Sequence, residues 1–355
     1  MKRFWELATS ARGWDRVYCF PFIILFRLIT PLYQAVSRRH LTQRRKRCSH
    51  DWRVQVISVG GVTVGGSGKT PIVMSLAQRL IAVGKKVVVV HSGYGRAGKS
   101  ELLIPYGRGG DSPLDLMGDE VAMMARMVPS LGFGVGRDKK GMLTRADREL
   151  SPDAIIIDDG YQRLDIQKEC DFAVVDQGLF GGRPRLFPGG VLREKLSSLN
   201  RADAIFLFRA ADDNLPSDMQ SMIRECNPSA SIVAWIGSLD GVEIDGRPVG
   251  LDQLYHRKPF LFAGIGSYPR LLAMVSRAAI TAAGQYSFGD HFDYHPSDLA
   301  LLRDMARQAA ADCYLTTAKD RVKLADGTLD LPLYCLMLKV TPSDSALVDR
   351  LIGIG

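Results

Sequence analysis

Val56-Ile-Ser-Val-Gly-Gly-Val-Thr-Val-Gly-Gly-Ser-Gly-Lys-Thr-Pro71 is the stretch that decides the fold. Its start lies in an apolar run, Val54 to Val59, that reads as a buried strand. Its end is glycine-rich and opens into Thr70 to Val83, which is apolar at helical spacing. Strand, glycine turn, Lys-Thr and helix in that order make a phosphate loop (P-loop). Glycines let backbone N–H groups turn inward on phosphate oxygens, and the helix start adds its positive end. Gly65, Gly66, Ser67, Gly68, Lys69 and Thr70 are therefore the candidate nucleotide-binding residues. Lys69 would reach the β- and γ-phosphates, and the Thr70 hydroxyl would hold Mg²⁺. The match to G-x-x-x-x-G-K-[ST] is imperfect, because Thr63 stands where the first glycine is usual.

Working outward, Lys86 to Val90, Ala154 to Ile157, Phe172 to Val175 and Ala204 to Phe208 are further short apolar runs. Strands apolar throughout, separated by helical patterns, indicate a parallel sheet covered on both faces. Gly241 to Val249 reads as a hairpin turning at Asp245-Gly246, and Pro259 to Gly266 restarts the strand–loop–helix pattern. A chain of 355 residues also exceeds the usual limit for one core. The expected architecture is α/β, with a P-loop NTPase-type parallel-sheet core over 51–240. A hairpin linker over 241–257 leads to a smaller second α/β domain over 258–355.

Two acidic segments follow the loop. Ile155-Ile-Ile-Asp158-Asp159-Gly160 is an apolar strand ending in carboxylates at the sheet edge where ligands bind in open α/β folds. Asp158 and Asp159 are thus candidates for Mg²⁺. Gly118-Asp119-Glu120 precedes a helical run, and here capping by Asp119 and a role in the site are equally open.

In residues 1–50, eleven Lys/Arg face only Glu6 and Asp15, a surplus larger than the whole chain's net charge of +8. The body is near neutral, unlike a nucleic-acid enzyme with a basic groove. No nucleic-acid partner is expected. The same arm holds the longest apolar run, Tyr18 to Tyr33, interrupted by Arg27 and two prolines. As a helix it would reach about 24 Å, short of the roughly 30 Å hydrocarbon core. Flanked by arginines, with Trp5 and Trp14 nearby, it fits a helix lying in the interface of an anionic membrane surface, or one packed on the protein itself. The six cysteines are scattered without a C-x-x-C pair, which fits reduced thiols in the cytoplasm.

The loop region resembles that of the tetraacyldisaccharide 4′-kinases, which phosphorylate the lipid A precursor and share a T-V-G-G-x-G-K-T-P loop. Further matches follow in order: Gly93 to Arg96, Gly118 to Glu120, Asp158 to Gln162, Leu192 to Glu194, Ala263 to Gly266, Asp290-His291 and Thr316 to Asp320. The resemblance implies an ATP- and Mg²⁺-dependent kinase at the cytoplasmic face of the inner membrane. Its substrate would be an acylated disaccharide lipid, and no obligate protein partner is implied. Lys69 and Thr70 would bind ATP·Mg²⁺, Asp158 and Asp159 would serve the metal and phosphates, and Glu120 would assist. Asp119 would accept the proton of the 4′-hydroxyl, supported by His291. Arg193 and Arg137 would meet anionic groups, and Gln162 and Tyr94 would line the site. The chain departs from the family at His91-Ser92 in place of Ser-Arg, at Arg163 in place of His, and at Gly189-Gly190-Val191 in place of Ala-Gly-Pro.

A rival reading is a nucleotide-dependent switch or metallochaperone-type GTPase. Guanine readers carry N/T-K-x-D, whereas Thr317-Ala-Lys319-Asp320 sets Lys and Asp side by side. A non-catalytic membrane adaptor is the second rival, and the intact Lys69, Thr70, Asp119, Asp158 and His291 argue against it.

Overall fold

The structure, a computed structural model, describes residues 14–48, 52–93, 95–96, 98, 100–176, 185–209 and 217–355. Residues 1–13 of the arm, with Trp5, and Tyr94 lie outside the described residues.

The strands are β1 (Gln55–Gly60), β2 (Val87–His91), β3 (Leu102–Ile104), β4 (Gly132–Val135), β5 (Ala154–Asp158), β6 (Cys170–Asp176) and β7 (Ala204–Arg209). β8 (Ser231–Ile244), β9 (Arg247–Val249), β10 (Pro259–Ala263), β11 (Gly284–Ser287), β12 (Cys313–Thr317) and β13 (Leu333–Pro342) follow. They form one sheet in the order β11-β10-β12-β13-β8-β7-β6-β1-β5-β2-β4-β3, with β9 beside β8. β1 is central, between β5 and β6, and parallel to both. Only β3, β9 and the β8–β13 pair run antiparallel among the described strands. β2, β4, β5, β7 and β10 are buried along their whole length, as strands covered by helices on both faces are. On one face Ile72, Leu76 and Leu80 of α2 (Lys69–Ala82) pack with Val121 and Met124 of α3 (Asp119–Met127). On the other, Met142, Leu143 and Ala146 of α4 (Lys139–Leu150) pack on β1, β2 and β5.

The hairpin forms as read, with Ile244 opposite Arg247 and both Asp245 and Gly246 at positive φ. The sheet, however, runs through that point unbroken. β8 is 14 residues long, pairing with β7 through its first half and with β13 beyond it. Separate apolar clusters lie around β10 and β12, under α5 (Tyr268–Arg277) and α6 (Pro296–Gln308). The chain end returns: Val340, Val348 and Ile352 complete the first half's core.

The N-terminal helix α1 (Trp14–Lys46) runs 33 residues, well past the apolar run that marked it in the sequence. Among the described residues no helix is long and apolar enough to cross a membrane.

Candidate active site

The phosphate loop joins β1 to α2 at the carboxyl edge of the sheet. Gly65 and Gly68 sit at φ 97° and 83°, the left-handed region that glycine enters without penalty. A Cβ on Gly68 would also lie 2.4 Å from the Phe208 ring. The threonine in place of the first glycine has a structural reason. Thr63 is buried in an antiparallel bridge to Leu192, flanked by bonds from Val64 N to Val191 O (2.8 Å) and Arg193 N to Val62 O (2.7 Å). A β-branched residue suits that extended pairing, and the pairing carries Arg193 to the site.

Arg193 donates to Asp159 Oδ2 at 2.7 Å, and Gln162 donates to Gly61 O and to Glu194. The Lys69 ammonium lies 3.7 Å from Asp159 Oδ1 and 3.2 Å from Ser67 Oγ. Thr70 Oγ1 meets Asp158 Oδ2 at 3.3 Å. Lys139, buried on α4, donates to the backbone carbonyls of Asp158 and Asp159 and holds that turn, where Asp159 has φ 53°. Burial pushes Asp158 above the usual carboxylate range, opposed by His91 and Lys139. Asp159 is held below it: burial works against its charge, but Lys69, Arg193 and Lys139 outweigh it.

These residues fit a magnesium ion. Asp159 Oδ1 is buried without a hydrogen-bond partner, and on the neighbouring residue Asp158 Oδ2 meets the Thr70 hydroxyl. His91, Glu120 and Asp158 each bring a ligand-type atom within 4.8 Å of the others. His91 itself is a donor here. Its Nδ1 accepts from Gly93 N (2.9 Å), so the neutral ring carries its proton on Nε2, 2.9 Å from Glu120 Oε2. It orients Glu120, whose pKa falls to about 2 because the His91 contact overcomes burial.

Across the cleft stands the second half of the sheet. Gly266, after β10, faces Gly66 so closely that a Cβ on it would lie 3.6 Å from Gly66 N. His291, at φ 57°, places Nδ1 2.9 and 3.1 Å from the two Asp119 oxygens. Gly118, not Asp119, occupies the N-cap of α3, so capping is not what Asp119 does. Asp119 is held well below the usual range, since His291, Lys319 and Lys323 outweigh the burial that opposes ionisation.

Of the site residues proposed from the sequence, the structure brings together Lys69, Thr70, Asp119, Glu120, Asp158, Asp159, Gln162, Arg193 and His291. Arg137 is exposed in the turn before α4, with no ion pair to this cluster among the described residues. Sequence reasoning missed His91, Lys139, Lys319 and Lys323. His91 could have been found as a departure beside the glycines, and Lys319 lay inside a noted motif without a role.

The family model described as tetraacyldisaccharide-1-P 4′-kinase matches residues 20–353. The chain belongs to that family. A tetraacyldisaccharide 4′-kinase of Geobacter metallireducens is 35% identical over 76% of this chain and 78% of that protein. One from Geobacter sulfurreducens is 34% identical over 82% and 81%. The solved structure of LpxK from Aquifex aeolicus in complex with ATP matches with a TM-score of 0.72 and 26% identity, over 95% of this chain and 98% of that one. This 4′-kinase fold accounts for the P-loop and the parallel sheet together, and the GTPase-switch reading is not favoured.

Proposed function

We propose that this 4′-kinase divides the work of one transfer between the two halves of its sheet. The γ-phosphoryl group of ATP passes to the 4′-hydroxyl of a tetraacyldisaccharide 1-phosphate, the lipid A precursor. The observation that carries the proposal is the 2.9 Å contact between Asp119 and His291, which lie 172 positions apart and meet across the two halves of the sheet. The loop amides and Lys69 hold the β- and γ-phosphates. Thr70, Asp158, Asp159 and Glu120 are the residues that would hold Mg²⁺, which would offset the negative charge developing on the phosphates. Asp119 takes the hydroxyl proton as the new P–O bond forms and the bond to the β-phosphate oxygen breaks, releasing ADP. An aspartate held so acidic is a weak base. A loose transition state demands little proton transfer early on, and His291 beside it orients the carboxylate. Arg193 would meet anionic groups of the substrates and Gln162 would line the site, with Arg137 a further candidate for the first task and Tyr94 for the second.

The lipid would come from a membrane surface. On α1, Ile29 (40% exposed), Leu32 (67%) and Val36 (61%) face outward, apolar side chains left unburied beside Arg38, Arg39 and the basic last turn Arg44, Arg45 and Lys46. That combination supports α1 lying on an anionic leaflet, at the cytoplasmic face of the inner membrane. The helix is also tied to the core: Gly189 N donates to Thr30, Tyr33 packs on Phe187, and Arg44 donates to the Gln162 carbonyl.

The test is a double-mutant cycle. Asp119→Ala and His291→Ala should each lower kcat with little change in ATP affinity. The double variant should be scarcely worse than the poorer single one. Fully multiplicative losses would show that the two residues act independently.

A further inference from the structure

The Thr316 to Asp320 segment has entered so far only through the charge of Lys319, and its neighbourhood holds two half-buried cations. Lys319 stands on α7 (Ala318–Arg321), and Lys323 follows one turn later. Their side chains are 13% and 6% exposed. Lys319 Nζ lies 3.0 Å from Asp290 Oδ1, 3.2 Å from His291 Nε2, 3.6 Å from Glu120 Oε1 and 4.0 Å from Asp119 Oδ2. Lys323 Nζ lies 3.1 Å from Asp119 Oδ2 and donates to the carbonyl of Phe292 at 2.9 Å.

An ammonium has three hydrogens and no lone pair, so it can only donate. A ring nitrogen 3.2 Å from it must therefore supply the lone pair. That puts the single proton of a neutral His291 on Nδ1, the nitrogen aimed at Asp119. Lys323 acts at the other end, joining the Asp119 carboxylate to the backbone beside His291. The left-handed φ of His291 is a conformation that persists only where surrounding contacts fix it, and this carbonyl bond is one of them.

The lysines are themselves fixed relative to the phosphate loop. Asp320, fully buried between them, accepts from Gly264 N (2.9 Å), Tyr294 OH (2.9 Å) and Thr317 Oγ1 (2.6 Å). It ties this turn to the Gly264–Gly266 strand end that faces Gly66.

We propose that Lys319 and Lys323 are positioning residues that grip the Asp119–His291 pair from its two ends and fix His291 as the Nδ1–H tautomer. This deepens the kinase reading and rests on it. Neither lysine moves a proton or contacts the reacting hydroxyl. They set where Asp119, which takes the proton, and His291, which orients it, stand when the halves of the sheet are together.

The test uses the full chain labelled with ¹⁵N-histidine, the His291 signals being assigned by comparison with His291→Gln. Wild type should show a protonated Nδ1 and a lone-pair Nε2. Lys319→Met should lose that pattern toward a tautomer mixture, and Lys319→Arg, also donor-only, should restore it. In parallel, with ATP, Mg²⁺ and the tetraacyldisaccharide 1-phosphate, Lys319→Met and Lys323→Met should each lower kcat about 10- to 100-fold. That is the usual loss when an orienting partner is removed. KM for ATP should stay within about threefold, and Arg at position 319 should recover part of the rate. A wild-type His291 protonated on Nε2 would overturn the proposal without any variant. So would a Lys319→Met protein with an unchanged tautomer, whether its kcat is intact or only its KM for ATP has risen. Failure of wild type to phosphorylate the lipid would instead sink the kinase reading, leaving the tautomer result to be judged alone.

Discussion

Replacing Lys69 with alanine removes the one side-chain cation that the phosphate loop itself contributes. Its ammonium now lies 3.7 Å from Asp159 Oδ1, and its side chain is 11% exposed. A unit charge at that distance, at an effective dielectric of about 20, interacts by about 4 to 5 kcal/mol. A phosphate oxygen taking the carboxylate's place would meet a field of the same order. Losing one such contact in a catalytic site commonly costs about 10²- to 10³-fold in kcat. The fold should tolerate the change, because Asp159 keeps Arg193 at 2.7 Å and the nearby Lys139. The assay is transfer from ³²P-labelled ATP to the lipid acceptor at saturating substrates, run beside a thermal melt. Lys69→Ala should fall to about a hundredth of the wild-type rate or below, with Tm lowered by no more than a few degrees. A variant keeping more than about a tenth of the activity would remove the phosphate loop from the mechanism. A collapse of Tm would recast Lys69 as a structural residue.

Two other perturbations follow from buried charge and from exposed apolar surface. Burial lowers Lys139 to about 8, against the pull of Asp159 and Asp158. The unfolded chain then holds that proton more tightly than the folded one between pH 8 and the ordinary lysine value near 10.4, so this group's contribution to stability rises with pH across that window. The unfolding free energy of wild type minus that of Lys139→Met, from urea titrations, should grow by about 3 kcal/mol between those limits; a flat difference would contradict the burial argument. Leu32→Asp with Val36→Asp should leave Tm nearly unchanged, since both side chains are exposed, while weakening co-sedimentation with anionic vesicles. Raising salt should weaken the binding of wild type as well. Unaltered vesicle binding by the double variant would show that this face of α1 is not the anchor.

What the sequence made legible was local. β1, the glycine turn and α2 announce themselves because strand, loop and helix are consecutive, and Asp158-Asp159 because an apolar run ends in them. The apolar periods of β2, β5, β6 and β7 betray a sheet buried on both faces. What stayed hidden depends on distant pairing. Thr63 looked like a flaw in the loop until Leu192 paired with it. The boundary placed at the hairpin could not show that β8 is long enough to pair with β7 and β13 in turn. α1 was underestimated because its apolar run stops at Tyr33, whereas the polar turns beyond it continue as helix to Lys46 and reach Gln162 through Arg44. Asp119 read equally well as a cap until Gly118 took that position. Lys319 and Lys323 gave no periodic signal at all, since their value lies in contacts with residues distant in sequence, His291 and Phe292 in their own half and Asp119 and Glu120 in the other.

The most direct measurement is the position of the transferred phosphate. Purified protein, [γ-³²P]ATP, Mg²⁺ and a tetraacyldisaccharide 1-phosphate in detergent micelles should yield one labelled lipid. Phosphorus–proton correlation of its unlabelled counterpart should attach the new phosphate to the 4′ carbon. Hydrolysis of ATP without a labelled lipid, or a phosphate found at any other position, would contradict the account.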